Sequence, residues 1–428
     1  GTGSQTAFTL SRTVASINDI QVTVNNVVQQ PNDAYTISGT TLTMTSAPSA
    51  GTNNVYVRYL STTTQAITPS QNTVSWNTLD SNIQQDLGVM FKNRIINGNM
   101  VIDQRNAGAS VTPTNGQYTL DRFAISIGGG ETGKLSIQQN AGSVTPPAGF
   151  TNYLGVTSLS AYTVPTANWF SLLHEIEGLN VGDLAWGTAN AKTITLSFWV
   201  RSSLTGTFGG ALNNSGNSRN YPYSYTISAA NTWEYKTVTI AGDTTGTWLT
   251  TNGIGIQVGF ALGAGTTESG TAGAWTATRA FSATGATSVV GTNGATWYIT
   301  GVMLEVGTQA TTFTTAGGSY GTELALCQRY YQTINGGIGI AYDSSSMSFS
   351  VPYKVTMRAA PTASLPSGTI VTDRAGSGSF TSSGASIGGS NIQTNAASLN
   401  VTGWSGLSVG WAPLIWQSAA WVNFSAEL

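Results

Sequence analysis

Residues 93–123, NRIINGNMVIDQRNAGASVTPTNGQYTLDRF, divide the chain into two parts of different character. Apolar and polar side chains alternate imperfectly from Arg94 to Arg105, and the segment at 106–109, Asn-Ala-Gly-Ala, then interrupts the pattern. A second alternating run begins at Tyr118. Because alternation with a period of two is typical of half-buried strands, this stretch predicts a strand, a loop and a second strand that open a β-domain.

The composition also favours antiparallel β structure. Only 8% of the 428 residues are charged, while 40% are hydrophobic and 10% aromatic. An average soluble domain has roughly 25% charged residues, and a disordered chain is richer in charge and poorer in aromatic residues. A chain rich in Thr and Gly with so little charge suits turns and β-strands. We therefore expect an all-β protein of about three domains.

Several function classes are excluded by simple counts. The net charge of −2 comes without a run of Lys or Arg, so we expect no nucleic-acid partner. No apolar stretch approaches the roughly 18 residues that cross a bilayer, so no membrane insertion is expected. Cys327 and His174 are the only residues of their kinds, which excludes the usual zinc sites and leaves no metal or cofactor to predict. We predict Cys327 to be a buried free thiol on a short helix.

The first part of the chain predicts a small module and a tether. Residues 1–61 alternate like a small β-sandwich whose inward face is Val22, Val24, Tyr35, Ile37, Leu42, Met44, Val55 and Val57. Residues 62–92 predict a linker and a short helix with an apolar stripe at Trp76, Leu79, Ile83, Leu87 and Met90. This helix either packs on the next domain or joins three chains. Since the chain begins at Gly1 without Met, we also expect residues upstream of it.

Three phrases carry a resemblance to a known family. RIINGNMVIDQRNAG followed by YTLDRF resembles the opening of the jelly-roll domain of bacteriophage tail fibres and related virion fibres. YITGVMLEVGTQATTF at 298–313 resembles the end of that domain. YGTELALCQRYYQ at 320–332 resembles the segment that connects the domain to a terminal tip domain in such fibres. The resemblance implies a jelly-roll body (93–315), a hinge and short helix (316–333), a β-rich tip (334–428) and a parallel homotrimer. The module at 1–61 is similar to spacer modules of such fibres.

Seven strands of the body are predicted from the sequence alone: 134–138, 153–159, 171–176, 193–201, 234–240, 253–260 and 296–304. TITLSFWVRSS at 193–203 and NTWEYKTVTIAG at 231–242 resemble paired strands of non-catalytic carbohydrate-binding modules of the jelly-roll type. One of Phe198 and Trp199 must point inward and the other outward, and the sequence does not decide which.

The candidate ligand-binding residues of the body lie in 213–225, NNSGNSRNYPYSY. A sugar presents an apolar face that stacks on aromatic rings and hydroxyls that need amide or guanidinium partners. The sequence therefore predicts a sugar site with rings and polar groups from Asn213, Asn217, Arg219, Asn220, Tyr221 and Tyr223. The alternative is an exposed hairpin whose tyrosines pack locally or against another copy.

The tip ends with four tryptophans. Trp416 and Trp421 lie in apolar strands, so we expect them in the core or in an interface. Trp404 and Trp411 are flanked by Gly and Ser and are the candidate ligand-binding residues of the tip.

Catalysis has one candidate. Glu175 and Glu177, beside His174, would share a strand face about 7 Å apart, a separation compatible with glycoside hydrolysis. An exposed acidic strand end without catalytic function is the alternative, and Asp103–Arg105 and Asp121–Arg122 are interpreted as ion pairs or loop anchors.

We therefore expect a non-enzymatic virion fibre of the phage tail, assembled in the host cytoplasm, that binds other virion proteins and a bacterial surface glycan. A purely structural virion appendage and a polysaccharide depolymerase remain the alternatives.

Overall fold

The computed structural model describes residues 1–60, 91–366, 369–374, 378–416 and 419–428. The chain divides into two compact units, Gly1–Gln84 and Gln85–Leu428. The predicted apolar stripe from Trp76 to Met90 lies outside the described residues, so the three-chain junction stays a prediction. Within the described ranges, no helix has the length and apolar character needed to cross a membrane.

The first unit contains the strands β1 (Ala7–Thr9), β2 (Ile20–Val24), β3 (Val27–Val28), β4 (Tyr35–Ser38), β5 (Thr41–Met44) and β6 (Val55–Tyr59). They form two three-stranded sheets of order β1-β5-β4 and β3-β2-β6. Val22, Tyr35 and Leu42 are fully buried between the sheets, as the alternation predicts. The tight turn between β2 and β3 uses Asn25 and Asn26, both at positive φ, which suits the twist of a hairpin.

The body is a sandwich of two antiparallel sheets. Its strands are β7 (Tyr118–Leu120), β8 (Phe123–Ile127), β9 (Leu135–Gln139), β10 (Leu154–Ser158), β11 (Trp169–Glu177), β12 (Ile194–Ser202), β13 (Gly206–Asn213), β14 (Asn220–Ile227), β15 (Glu234–Ile240), β16 (Ile254–Ala264), β17 (Ser269–Gly270), β18 (Ser282–Ala283) and β19 (Thr296–Val306). One sheet has the order β15-β12-β19-β10-β9 and the other β14-β13-β16-β11-β8-β7. The short strands β17 and β18 pair in parallel within the loop between β16 and β19.

Alternation along β12 and β16 builds the centre of the body core. Phe198 is fully buried and lies edge-on against Phe260 of the opposite sheet, with ring centroids 5.1 Å apart. Trp199 therefore points to the outer face of its sheet, where it is half-buried.

The seven strands predicted for the body are all present, while β13 and β14 were not among them. The strand predicted between Arg94 and Arg105 is wrong, because this segment forms turns in which the side chains of Asn97 and Asp103 accept the main-chain hydrogen bonds.

A single α-helix, α1 (Tyr320–Gln328), connects the body to the tip. Its N-cap is Ser319, whose hydroxyl accepts a hydrogen bond from the main-chain nitrogen of Thr322. Cys327 is a fully buried free thiol on this helix, which confirms the prediction. Burial raises the pKa of that thiol well above its usual range.

The tip contains β20 (Tyr331–Ile334), β21 (Gly336–Ala341), β22 (Ser346–Pro352), β23 (Thr362–Ser364), β24 (Val371–Arg374), β25 (Gly378–Thr381), β26 (Ser386–Ile392), β27 (Ala396–Thr402), β28 (Leu414–Trp416) and β29 (Val422–Ser425). A three-stranded sheet of order β20-β29-β23 packs with a seven-stranded sheet of order β25-β24-β28-β21-β22-β27-β26. Trp421 is fully buried in the tip core and donates from Nε1 to the carbonyl of Gly336 (3.1 Å), so the core prediction for this residue is confirmed.

Two of the three phrases that carry the family resemblance, the opening phrase and the one at 320–332, meet in one buried polar cluster between body and tip. This junction network consists of Asn97, Gln104, Arg105, Asp121, Arg122, Glu323, Tyr330, Tyr331 and Glu427. Asn97 accounts for two of its links: its main-chain nitrogen donates to Glu323 Oε1 (2.6 Å) and its Nδ2 to the carbonyl of Asp121 (3.0 Å). Asp121 accepts hydrogen bonds from the main chain and the side chain of Gln104 (2.6 and 2.7 Å). Burial raises the pKa of Asp121 to about 6.

Arg122 lies at the centre of the junction network. Its side chain is 1% exposed, forms an ion pair with Glu427 and stacks on the ring of Tyr330, with the guanidinium carbon 3.6 Å from the ring centroid. Arg105 also pairs with Glu427 and lies 3.7 Å from the ring centroid of Tyr331. The last residues of the tip are thereby fixed to the first hairpin of the body.

The two aspartates that precede these arginines anchor loops. Asp103 accepts hydrogen bonds from the main-chain nitrogens of Arg105, Asn106 and Gly108, at 2.7 to 3.2 Å. Asp121 holds Gln104 in the same way, so the loop-anchor interpretation is confirmed for both aspartates.

Candidate functional site

The long loop between β16 and β19 is held against the edge of the six-stranded sheet by two asparagines of the predicted site. Asn213 Nδ2 donates to the carbonyl of Ala280 (2.9 Å). Asn220 Nδ2 donates to the carbonyl of Thr278 (3.1 Å), and the main chains of Asn220 and Thr276 exchange two hydrogen bonds. Asn213 and Asn220 are both buried, so these amides position the loop and are not themselves open to a ligand.

The loop encloses a pocket of about 260 Å³, here called the Trp275 pocket. No ionisable group lines it, and its walls are an indole, small residues and hydroxyl-bearing side chains: Ser269, Gly270, Thr271, Ala274, Trp275, Thr276, Thr278 and Ala280. Trp275 is half-buried, and its Nε1 donates to the carbonyl of Ala241 (2.8 Å). That hydrogen bond fixes the plane of the only aromatic ring in the wall.

Three further aromatic side chains pack behind Trp275. The centroid of its ring lies 5.3 Å from that of Trp186, 5.4 Å from that of Trp248 and 5.1 Å from that of Tyr221, all edge-on. Such contacts restrict the rotation of an indole. The indole of Trp275 is therefore preorganised. Tyr221, predicted to be a stacking platform, is buried and supports the ring that lines the pocket.

Arg219 braces the same end of the body. Its Nε and Nη2 donate to the two carboxylate oxygens of Asp243, both at 2.7 Å. Burial would raise the pKa of Asp243, but the hydrogen bonds from Arg219 and Thr245 outweigh it and lower this pKa below its usual range. Asp243 also accepts a hydrogen bond from Trp248 Nε1 (3.3 Å), so the ion pair reaches the aromatic cluster.

The other predicted residues of this segment have structural contacts as well. Tyr223 is buried in the body core, where its hydroxyl donates to the carbonyl of Gly259 (2.9 Å), and its ring offers no face to a ligand. Asn217 lies in the turn between β13 and β14 with a left-handed backbone (φ 49°), and its carbonyl accepts from Asn220 Nδ2 (3.0 Å). The predicted cluster thus stands beside the pocket instead of lining it.

The tryptophans predicted for ligand binding in the tip are parts of its core packing. Trp404 is 5% exposed and lies against Phe349, with ring centroids 6.1 Å apart. Trp411 is half-buried against Phe380, at 5.1 Å. Trp411 and Trp275 are buried to a similar degree, and the side chain of Trp416 lies outside the described residues.

The carboxylates considered for catalysis are buried and fully engaged. Glu177 accepts hydrogen bonds from Arg329 (2.8 and 3.2 Å) and from the hydroxyl of Tyr330 (2.7 Å). Glu175 accepts from Tyr118 (3.0 Å) and Gln257 (2.8 Å), and burial raises its pKa. Both side chains link elements of the fold, so the expectation that they form an exposed strand end is wrong: the two carboxylates are buried where β11 contacts its neighbours.

His174 faces the body core, and its burial is expected to make the stability of the chain depend on pH. Burial, with the charge of Arg122 as a smaller cause, lowers its pKa well below 6.5. The unfolded chain takes up a proton at this histidine below about pH 6.5 while the folded chain does not, so its contribution to stability falls with the pH. We expect the difference in unfolding free energy between wild type and His174→Gln to shrink by about 2 kcal/mol from pH 7 to pH 5.

Urea unfolding followed by tryptophan fluorescence at both pH values measures this difference. Asp121, Glu175 and Glu323 have raised pKa values, so their contribution to stability rises as the pH falls, opposite to that of His174. Wild type and variant share these three carboxylates, so the difference between them removes this contribution. A difference that stays constant with pH would show that His174 titrates alike in both states.

Sequence reasoning missed Trp186, Trp248 and Trp275. Each stands in a loop directly after an Ala or Thr residue, without a periodic pattern around it. The only signal was the presence of a large aromatic residue in a turn-rich segment.

No protein-family profile and no curated protein sequence matches the chain. Among solved structures, the enzymatically active domain of tailspike protein 4 of bacteriophage CBA120 aligns with a TM-score of 0.27 and 10% identity, over 51% of this chain and 22% of that chain. A family 11 carbohydrate-binding module from Clostridium thermocellum, in complex with a β-1,3-1,4-mixed-linked tetrasaccharide, aligns with a TM-score of 0.24 and 13% identity, over 47% of this chain and 98% of that module. The chain thus spans about a fifth of the tailspike domain. With TM-scores this low, these similarities assign no function to it.

Proposed function

We propose that this chain is a non-enzymatic fibre protein of a bacteriophage virion that attaches the particle to a glycan on the bacterial surface. The Trp275 pocket carries the proposal. A fixed indole supplies the surface on which the apolar face of a sugar stacks, and the hydroxyls of Ser269, Thr276 and Thr278 surround it. The absence of ionisable groups from the pocket wall suits a neutral sugar.

The size of the pocket suggests weak individual binding. About 260 Å³ is at the small end of ligand sites and suits a single sugar unit. A site of millimolar affinity contributes only about 4 kcal/mol. We propose that a parallel homotrimer supplies the missing affinity, because linked sites bind with a raised effective concentration. Ile338 and Leu414, paired on adjacent strands of the tip and 62% and 41% exposed, are apolar surface that further copies would cover.

The test is binding of the fluorescently labelled chain to candidate host cells, with and without prior removal of their surface polysaccharide. The mass of the chain in sedimentation equilibrium tests the trimer in the same preparation. We expect saturable binding that disappears with the polysaccharide. Trp275→Ala is expected to weaken it at least tenfold, which corresponds to about 1.4 kcal/mol.

Two further variants make this test specific. Thr278→Val keeps the shape of the side chain, removes one hydroxyl from the pocket and is expected to weaken binding less than Trp275→Ala. Tyr320→Ala removes an aromatic side chain that is 63% exposed on α1 and is expected to bind like wild type. A folded Trp275→Ala variant that binds like wild type would refute the assignment of the pocket.

A purely structural role in the virion is the second candidate. The observation in its favour is that two of the three phrases with the family resemblance build the junction network, while none of the three contributes a residue to the wall of the Trp275 pocket. A folded chain of fibre-like oligomeric state that binds no candidate host cell would support this role.

A further inference from the structure

A row of aromatic side chains crosses the outer face of the five-stranded sheet, on the side opposite to its core. It consists of Tyr235, Trp199, Phe150 and Phe313, here called the aromatic row. Tyr235 of β15 stands in register with Trp199 of β12, with ring centroids 5.4 Å apart. Phe150 and Phe313 come from the loops before β10 and after β19, and their ring centroids are 5.1 Å apart.

Gly301 allows the pair Tyr235–Trp199 to meet the pair Phe150–Phe313. A Cβ atom on this glycine would lie 2.6 Å from Cζ of Phe150 and 3.2 Å from Cδ1 of Trp199, so both rings reach over the strand at the place where a side chain would stand. The backbone of Gly301 has a φ of 62°, which side chains rarely tolerate. The register shift between Ser197 and Trp199 places Gly301 and Val302 of β19 opposite the single residue Phe198 of β12, so β19 is bulged at this point. The glycine and the bulge together leave a continuous strip of rings.

The rings of the row are accessible. Tyr235 is 42% exposed, and the other three side chains are half-buried. The row extends across β15, β12, β19 and the loop before β10, about three interstrand spacings or roughly 14 Å. This length accommodates several linked sugar units, whereas the Trp275 pocket accommodates one.

The groups beside the row suit hydroxyl-bearing ligands. Thr237 and Thr151 are exposed, and Asn152 is half-exposed. Arg201 lies two residues from Trp199 on the same face, with its guanidinium carbon 5.4 Å from the ring centroid of Tyr298. Its Nε donates to the carbonyl of Asn231 (2.9 Å), and no ion pair of the described residues includes it. Flat rings bordered by hydroxyl, amide and guanidinium groups are the surface that a chain of pyranose rings requires.

We propose that the aromatic row binds an extended stretch of a linear polysaccharide, as a second glycan site of the body distinct from the Trp275 pocket. This inference rests on the proposed glycan-binding function. It adds that the body distinguishes a polymer from a single sugar, since only the polymer covers the row.

The experiment is affinity electrophoresis of the full chain in gels that contain barley mixed-linkage β-glucan, β-1,4-galactan, or surface polysaccharide extracted from cells that bind the chain. Each polymer is compared with its short acid-hydrolysis fragments, added as competitors. Tyr235→Ala and Trp199→Ala are expected to weaken polymer binding at least tenfold and to leave the affinity for the short fragments unchanged. Tyr235→Phe, which keeps the ring, is the matched control and is expected to bind like wild type.

The outcomes separate the two proposals. Trp275→Ala is expected to lower the affinity for fragments and polymer alike. If the row variants bind the polymer like wild type while Trp275→Ala does not, the row is not a glycan site and the pocket proposal stands. If the row variants change the mass in sedimentation equilibrium, the row is an interface between copies and the inference is wrong. A wild-type chain that no polysaccharide retards would refute both proposals. Because Tyr235 lies on an edge strand and is well exposed, its variants are expected to fold even if Trp199→Ala does not.

Discussion

Replacing Arg122 by methionine is expected to lower the free energy of unfolding by about 3–5 kcal/mol. Removal of one partner from a buried ion pair leaves the other charge in a medium of low polarity with less compensation, and here Glu427 keeps only its ion pair with Arg105. Arg122 is 1% exposed and Glu427 7%, and the variant also removes the cation that stacks on Tyr330. Urea unfolding of the purified chain at pH 7, followed by tryptophan fluorescence, measures the change.

Lys134→Met is the control for this prediction. Lys134 also pairs with a glutamate, Glu131, but the two side chains are 27% and 32% exposed. Exposed ion pairs contribute about 0–1 kcal/mol, because water and salt screen them. If both variants lose the same stability, burial of the junction network is not what makes Arg122 important. Protease treatment under native conditions should also release the tip faster from the Arg122 variant than from wild type.

The second large effect is expected for Trp297→Ala, at about 3–5 kcal/mol. Trp297 is fully buried in the body, and its Nε1 donates to the hydroxyl of Tyr225 (3.0 Å). The substitution opens a cavity and also leaves the Tyr225 hydroxyl without this donor. Thermal and urea unfolding of the variant measure the loss.

Trp233→Ala is the comparison for the cavity. Trp233 is half-buried at the start of β15 and donates from Nε1 to the carbonyl of Thr145 (2.9 Å), so it loses a similar hydrogen bond without opening a closed cavity. We expect a clearly smaller loss of stability. Equal losses in the two variants would argue against tight packing around Trp297.

The strands of the body were predictable where aliphatic and aromatic residues alternate with polar ones, as in β12 and β15. The same period is present in β14, where Tyr221, Tyr223, Tyr225 and Ile227 all point inward. It was overlooked because tyrosines among Asn, Ser and Pro look like a polar hairpin. The hydroxyls of Tyr223 and Tyr225 find partners inside the core, at Gly259 and Trp297, and these partners are set by strand pairing.

The candidate site was predictable only in part. The sequence singled out Asn213 and Asn220, and the structure uses them to hold the loop that forms the pocket. The aromatic residues of the site come from positions 186, 248 and 275, which approach one another only through the arrangement of three loops. No short-range pattern in the sequence indicates how these three loops are arranged. The aromatic row likewise depends on a glycine within a bulge of β19, which strand pairing with β12 creates.

The pairing of β20 with β29 has a consequence for how this chain can change. The chain enters the tip through β20 and returns to the body through β29, and these two strands are paired, with Tyr331 opposite Ser425. Both ends of the tip contact Arg105, through Tyr331 and through Glu427. The ninety or so residues between β20 and β29 therefore begin and end at neighbouring positions on the body. An exchanged tip therefore needs to preserve its two ends and the contact of Arg358 with Asn252 to fit this body, so the rest of the tip can diversify while its attachment stays constant.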